Sequence, residues 1–215
     1  MISCLKLHGE ISVNSYIISN YGSKHILLID PGANFPYISS LIKKNNYILD
    51  KILITHGHFD HIGAVNQLID KYKCPLYAHT NSKLYFQNPV YNLSEYDNNK
   101  IIINNYNELK SKDLLELSGD IPLVLEVLHT PGHTSDSIIF YNKLENFAVT
   151  GDIVFKNSIG AYHYPGGDLT TLLKSIKSII LNLPKNCTLY TGHGESTTVG
   201  EIEKFLKLSG LFSLI

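Results

Sequence analysis

Four apolar runs in this 215-residue chain end alike, in Thr and then, at once or after Gly or Pro-Gly, in a side chain able to bind a metal ion. They read KILIT before His56, LEVLHT-PG before His133, NFAVT-G before Asp152 and TLYT-G before His193. Short apolar runs of this composition read as β-strands. Residues at the ends of neighbouring strands can converge on one edge of a sheet. Gly57, Gly132, Gly151 and Gly192 stand beside these four residues, and each is read as a sharp backbone turn.

The first cluster, His56-Gly57-His58-Phe59-Asp60-His61, is the densest. In an extended segment alternate residues share a side, so His56 and His58 can grip one metal ion together. Asp60 and His61 stand where the chain turns into a helix and can face a second ion. His133 would complete the first site and His193 the second, with Asp152 bridging both. Asp60 can equally be the N-cap of that helix. Imidazole and carboxylate ligands, three protein groups per ion, leave coordination positions open for water, as catalytic zinc sites do and closed structural sites do not. Five of the ten histidines fall in this pattern. Of the others, His8 and His25 read as surface or strand residues, His79 as a strand end without ligand companions, His129 as an orienting partner of the ligands, and His163 as a surface-loop residue, with a substrate contact as the alternative.

The predicted elements alternate after a short opening meander. Strands are expected around Cys4–Leu7, Ser15–Ser19 and His25–Ile29, then helix 36–46, strand 51–55, helix 62–72 and strand 75–78. The polar, Asn- and Tyr-rich stretch 80–112 is expected to be helical or irregular and to wall or cover the site. Strands follow at 113–116, 123–129, 137–142, 147–150 and 188–191, with helices at 169–183 and 199–207. This order suggests an α/β architecture, two β-sheets face to face with helices outside, in a single domain spanning 1–215.

Composition excludes several classes. With 44% hydrophobic and 17% charged residues, the chain is of globular type. A net charge of −1 gives no general attraction to nucleic acid or to an anionic membrane, and neither is expected as a partner. All 18 basic residues are Lys, so no Arg fork is available to clasp a carboxylate or phosphate. The three cysteines are widely spaced, which points to reduced thiols and a cytoplasmic protein. No apolar segment at the N-terminus resembles a signal peptide.

The motifs THGHFDHIG, HTPGHT, VTGD and TGHG, in this order and spacing, resemble the metallo-β-lactamase superfamily and, within it, the glyoxalase II-like hydrolases. NSYII, IDPGAN and GDIVFKNSIG add to the resemblance, which covers roughly residues 1–206. It implies a four-layer αββα sandwich with the site at one edge of the sheets. It also implies the seven-ligand set His56, His58, Asp60, His61, His133, Asp152 and His193, and two divalent ions, zinc foremost, with iron and manganese compatible with the same donors. The function implied is hydrolysis of a thioester or small acyl ester of a small-molecule substrate by a metal-bridging hydroxide, with Asp60 as its proton acceptor. The alternatives are an iron-dependent persulfide dioxygenase, against which TGHGES speaks, and a non-enzymatic metal-binding protein. Relatives carry Lys or Arg after SIG where this chain has Ala161. The longer glyoxalase II type also has a further helical domain, while this chain stops soon after its last helix. A dedicated glutathione-thioester hydrolase is therefore not expected.

Overall fold

A computed structural model describes residues 1–96, 99–117 and 122–211. Strands β1 (Ile2–His8), β2 (Ser12–Ser19), β3 (His25–Ile29), β4 (Ile48–Leu53), β5 (Leu76–His79) and β6 (Asn107–Leu109) form one sheet in that order. Strands β7 (Leu114–Leu117), β8 (Leu123–His129), β9 (Ile138–Asn142), β10 (Phe147–Gly151), β13 (Thr188–Thr191) and β14 (Thr197–Thr198) form the second, ordered β14-β13-β10-β9-β8-β7. A small ribbon pairs β11 (Val154–Phe155) with β12 (Ser158–Ile159). The α-helices are α1 (Phe35–Lys44), α2 (Phe59–Ile62), α3 (Val65–Tyr72), α4 (Ser82–Phe86), α5 (Leu169–Ser178) and α6 (Val199–Leu208).

The layering follows from the period of two in the strands. In β3, Ile26 and Leu28 pack towards the cluster containing Ile38 and Ile42 of α1 and Val65 and Leu68 of α3, while Leu27 and Ile29 face the second sheet. A strand buried on both faces must be apolar throughout, which is why HILLI does not alternate. In β9, Ile138 and Phe140 meet the first sheet, and Ile139 and Tyr141 meet Leu172 and Ile176 of α5 and Ile202 and Leu206 of α6. The result is helix, sheet, sheet, helix, the αββα sandwich the motifs implied. Each fully buried Leu or Ile contributes about 1.5–3 kcal/mol.

Pairing directions send the important strand ends to one pole. Strand β4 runs parallel to β3, and β13 parallel to β10. Strand β8 is antiparallel to β9, which is antiparallel to β10, so β8 runs with β10. The carboxyl ends of β3, β4, β8, β10 and β13 therefore deliver Asp30, His56, His133, Asp152 and His193 together.

Two expectations change. The single helix 62–72 is two, α2 and α3, because the chain between them is drawn against the 31–32 turn. Ala64 N–H donates to the Pro31 carbonyl at 2.9 Å, and a Cβ on Gly63 would lie 2.1 Å from the Gly32 carbonyl oxygen. The described residues of segment 80–112 form no continuous cover: they make α4, a 3-10 turn (Ser94–Tyr96) and edge strand β6, and one part of them walls the site. Among the described residues, no helix is long and apolar enough to cross a membrane.

Candidate metal centre

The seven side chains singled out in the sequence meet at this pole. Ligand-capable atoms fall into three overlapping groups: His56, His58 and His133; His56, His61 and Asp152; Asp60, His61 and His193. His56 Nε2 is 3.2 Å from His58 Nδ1 and from His133 Nε2, and the latter two are 3.0 Å apart. Imidazole nitrogens bound at about 2.0–2.1 Å to one zinc ion stand roughly that far from each other. The rings are mutually edge-on, at 81°, 82° and 86°, so their nitrogens rather than their faces converge.

Which nitrogen of each ring points inward is decided by what holds the other one. A carbonyl oxygen only accepts, so His133 Nδ1–H donates to Ala161 O and His193 Nδ1–H to Ser12 O, both at 2.7 Å. His61 Nδ1 donates to Asp30 Oδ2 at 2.9 Å. Thr55 Oγ1–H donates to the same Oδ2 at 2.6 Å, leaving its lone pairs to accept from His56 Nδ1–H at 3.1 Å. Asp30 thus orients one imidazole of each end group, His61 directly and His56 through Thr55. Such outer partners set the tautomer of a metal ligand. His58 is the exception: its Nδ1 points inward, and its buried Nε2 meets no partner.

Electrostatics divide the pole. Burial, then the neighbouring imidazoles, push His56 well below the usual histidine range, and burial with His133 beside it pushes His58 down to about 3. Burial also lowers His133. The lowered values favour the neutral ring that a metal ligand requires. On the other side burial again opposes charge on His61, but the carboxylates of Asp60, Asp152 and Asp30 outweigh it and raise it well above that range. His193, whose Nε2 lies 3.2 Å from Asp60 Oδ2 and 3.3 Å from Asp152 Oδ2, is raised to about 10 by those two carboxylates against the cost of burial. Positive charge is therefore favoured between these groups. His61 Nε2 and Asp152 Oδ1 are buried without a hydrogen-bond partner. Orphaned donors that converge, and carboxylates that call for a cation, fit divalent metal ions.

Glycine makes the approach possible in two different ways. Gly132 and Gly151 do turn the chain, at φ +136° and +51°. Gly57 and Gly192 have no left-handed φ, and they are needed for space. A Cβ on Gly192 would sit 2.0 Å from Asp152 Oδ1, and one on Gly57 2.3 Å from Tyr85 Cβ. Asp60 is not a helix cap. The N-cap of α2 is His58, without a side-chain bond, and Asp60 lies inside the first turn with its carboxylate towards His193.

A cavity of about 460 Å³ opens onto the centre, with His58, Asp60, His133, Asp152 and His193 in its floor. Ile11, Phe59, Leu93, Phe155, Ala161 and Tyr164 form the rest of its wall. Leu93 is the contribution of the 80–112 segment, and Tyr85 stands behind His58 with ring centres 6.3 Å apart. His163 is exposed beside Tyr164 and does not line the cavity. His129 does not orient a ligand: it stacks on His79, and its Nε2–H donates to the Ser135 carbonyl at 3.0 Å. Sequence reasoning missed Asp30 as the orienting carboxylate, although IDPGAN contains it. It also missed Asn14, whose side chain holds the 191–194 turn through the carbonyls of Thr191 and Gly194 at 3.0 and 3.1 Å.

Comparison with known proteins agrees with this fold. The family model described as the metallo-beta-lactamase superfamily matches residues 8–193. The probable metallo-hydrolase YqgX of Bacillus subtilis is 34% identical over 89% of each chain. The hydroxyacylglutathione hydrolase GloC of Haemophilus influenzae is 30% identical over 83% of this chain and 84% of its own. Among solved structures, the B3 metallo-beta-lactamase BLEG-1 is 33% identical with a TM-score of 0.85, covering 95% of this chain and 97% of that one. TTHA1623, solved in a di-iron-bound form, is 29% identical with a TM-score of 0.81, covering 94% and 98%.

Proposed function

The chain belongs to the metallo-β-lactamase superfamily, whose members are metal-dependent hydrolases, and from that premise we propose that it hydrolyses thioesters or small acyl esters with two divalent ions held by His56, His58, Asp60, His61, His133, Asp152 and His193. The observation that carries this reading is the convergence of two three-ligand groups, linked through a third of His56, His61 and Asp152, at the bottom of one open cavity. When bound, such ions supply an activated water and a Lewis acid for the carbonyl oxygen. The chain's own groups do the rest. Asp60, with Oδ2 facing His193, is placed to hold the attacking water and take its proton. Asp30 and Thr55 keep the imidazoles in register. Phe59, Leu93 and Phe155 give the cavity an apolar wall beside the reacting atoms. No further side chain is needed as an acid if the leaving group is a thiolate, which favours thioesters, and GloC acts on a substrate of that class by its name.

Zinc is the proposed metal. The di-iron-bound form of TTHA1623 favours iron as the competing metal, and the competing reaction is that of an iron-dependent persulfide dioxygenase with one working iron ion on the same scaffold. The two separate in one experiment: zinc-loaded and iron-loaded protein are given a thioester, a lactone, a phosphodiester and a persulfide. Thioester cleavage by the zinc form is expected. Oxygen uptake with the persulfide by the iron form alone, without ester cleavage, would overturn the hydrolase reading. Anomalous scattering from the loaded protein is expected to show two peaks within about 4 Å.

A further inference from the structure

The wall of the metal cavity continues outward into a second cavity of about 360 Å³, reached past Ile11, Phe59, Leu93 and Tyr164, which line both. Val90 and Pro165 extend the apolar surface at the far end, and Glu10 is the charged side chain there. The apolar side chains are left open to solvent: Ile11 is 47%, Val90 46% and Tyr164 40% exposed. Exposed apolar groups gathered along one groove mark a binding surface. No lysine lines either cavity. The chain has no arginine at all. Ala161 faces the inner cavity with a methyl group. Lys156, the basic residue nearest in sequence, is ion-paired with Glu195.

Resting on the hydrolase reading, we infer that this trough selects an uncharged substrate with an extended apolar tail, and that anionic carriers such as a glutathione or a nucleotide-bearing thiol are poorly held. The reason is charge and area together. A carboxylate or phosphate in the trough would be desolvated against Ile11, Leu93 and Val90 with no cation to meet it, and Glu10 would repel it. An alkyl or aryl tail instead removes its own surface and that of the wall from water. Burial of one methylene is worth about a factor of three to four in affinity.

The test uses the zinc-loaded full chain and thioesters of N-acetylcysteamine, a small neutral thiol, with acyl groups of two to eight carbons. A matching set carries the same tail on the thiol side of an acetyl thioester. Lengthening the tail on at least one side is expected to raise kcat/KM about threefold per carbon, reaching about a hundredfold over four carbons. The same acyl group carried on glutathione is expected to give a lower kcat/KM than on the neutral thiol. In Val90→Lys and Leu93→Lys the ratio of octanoyl to acetyl turnover should collapse, and the ratio of glutathione to neutral thioester should rise. A flat response to tail length on both sides, or a preference for the glutathione ester in the unaltered chain, would overturn the inference.

Binding separates this inference from the hydrolase reading. Octyl and ethyl thioethers of N-acetylcysteamine, which cannot be hydrolysed, are compared by calorimetry. Tighter octyl binding without turnover of any ester would remove the hydrolase reading and leave the trough standing. Turnover with equal octyl and ethyl binding would do the reverse.

Discussion

Two groups of histidines pack closely in this molecule, and they differ in what their nitrogens do. His79 and His129, at the ends of β5 and β8, lie face to face with ring centres 3.9 Å apart and planes within 13°. One nitrogen of each is engaged with the chain: His79 Nδ1 accepts from Asn81 N–H at 3.2 Å, and His129 Nε2 donates to Ser135 O. His56, His58 and His133 pack edge-on instead, with ring centres 4.7–4.8 Å apart and one nitrogen of each aimed at one point. Closeness does not make a metal site. Convergence of ligand atoms on one point does, and in His56 and His133 the bond that holds the other ring nitrogen from outside fixes which one points inward.

The sharpest attempt to break this contrast is to exchange the losses. His58→Ala is expected to remove one of the two ions and lower turnover by more than the ten- to hundredfold that follows loss of an orienting partner. His79→Ala should leave the metal content unchanged. Metal analysis of both proteins decides, and loss of metal from the His79 variant would erase the distinction.

Asp60→Asn probes the step between ligand and base. Turnover is expected to fall about 10²–10⁴-fold, the usual contribution of a general base, while the thermal midpoint of the metal-loaded protein changes little. Near-normal kcat with full metal content would show that Asp60 only ligates.

Asp30→Asn keeps the shape but removes the charge that orients His61 and, through Thr55, His56. Because one imidazole of each end group depends on it, both ions should weaken, by about ten- to hundredfold in affinity. Competition with a chelator reads this, and weakening of one ion alone would refute the shared role.

The smallest effect belongs to the stacked pair. Burial, with His129 beside it, depresses His79 from 6.5 to about 4. Above pH 6.5 the ring is neutral folded and unfolded, so it adds no pH dependence. As pH falls from 6.5 towards 4 the unfolded chain takes up a proton that the folded chain does not, and stability declines. His79→Phe should flatten that part of the pH–stability curve relative to the unaltered protein, measured by denaturant midpoints with metals bound.

The strand ends carrying the ligands were legible because each obeys a local rule: β-rich residues, Thr, then the ligand, directly at His56 and after Gly or Pro-Gly at the other three. Strand spans at His25–Ile29, Leu123–His129 and Thr188–Thr191 agree with the structure to the residue. The break between α2 and α3 was not legible, since it depends on the carbonyls of Pro31 and Gly32 pressing from another turn. The two-residue strands β11, β12 and β14 are too short to carry a period.

The sequence by itself pointed to two face-to-face sheets with helices outside, through the order of its elements, and to the seven side chains that meet at one pole, through four strand-end motifs, the dense 56–61 cluster and the family resemblance they carry. Tertiary structure decided how they are used. Asp30 joins the centre only because parallel pairing of β3 and β4 brings its carboxylate to Thr55 and His61. Gly57 and Gly192 turn out to supply room rather than a bend. Asp60 faces His193 instead of capping a helix. His129 is claimed by His79. Each outcome depends on which groups from distant parts of the chain compete for the same donor or the same space, and local pattern carries no record of that competition.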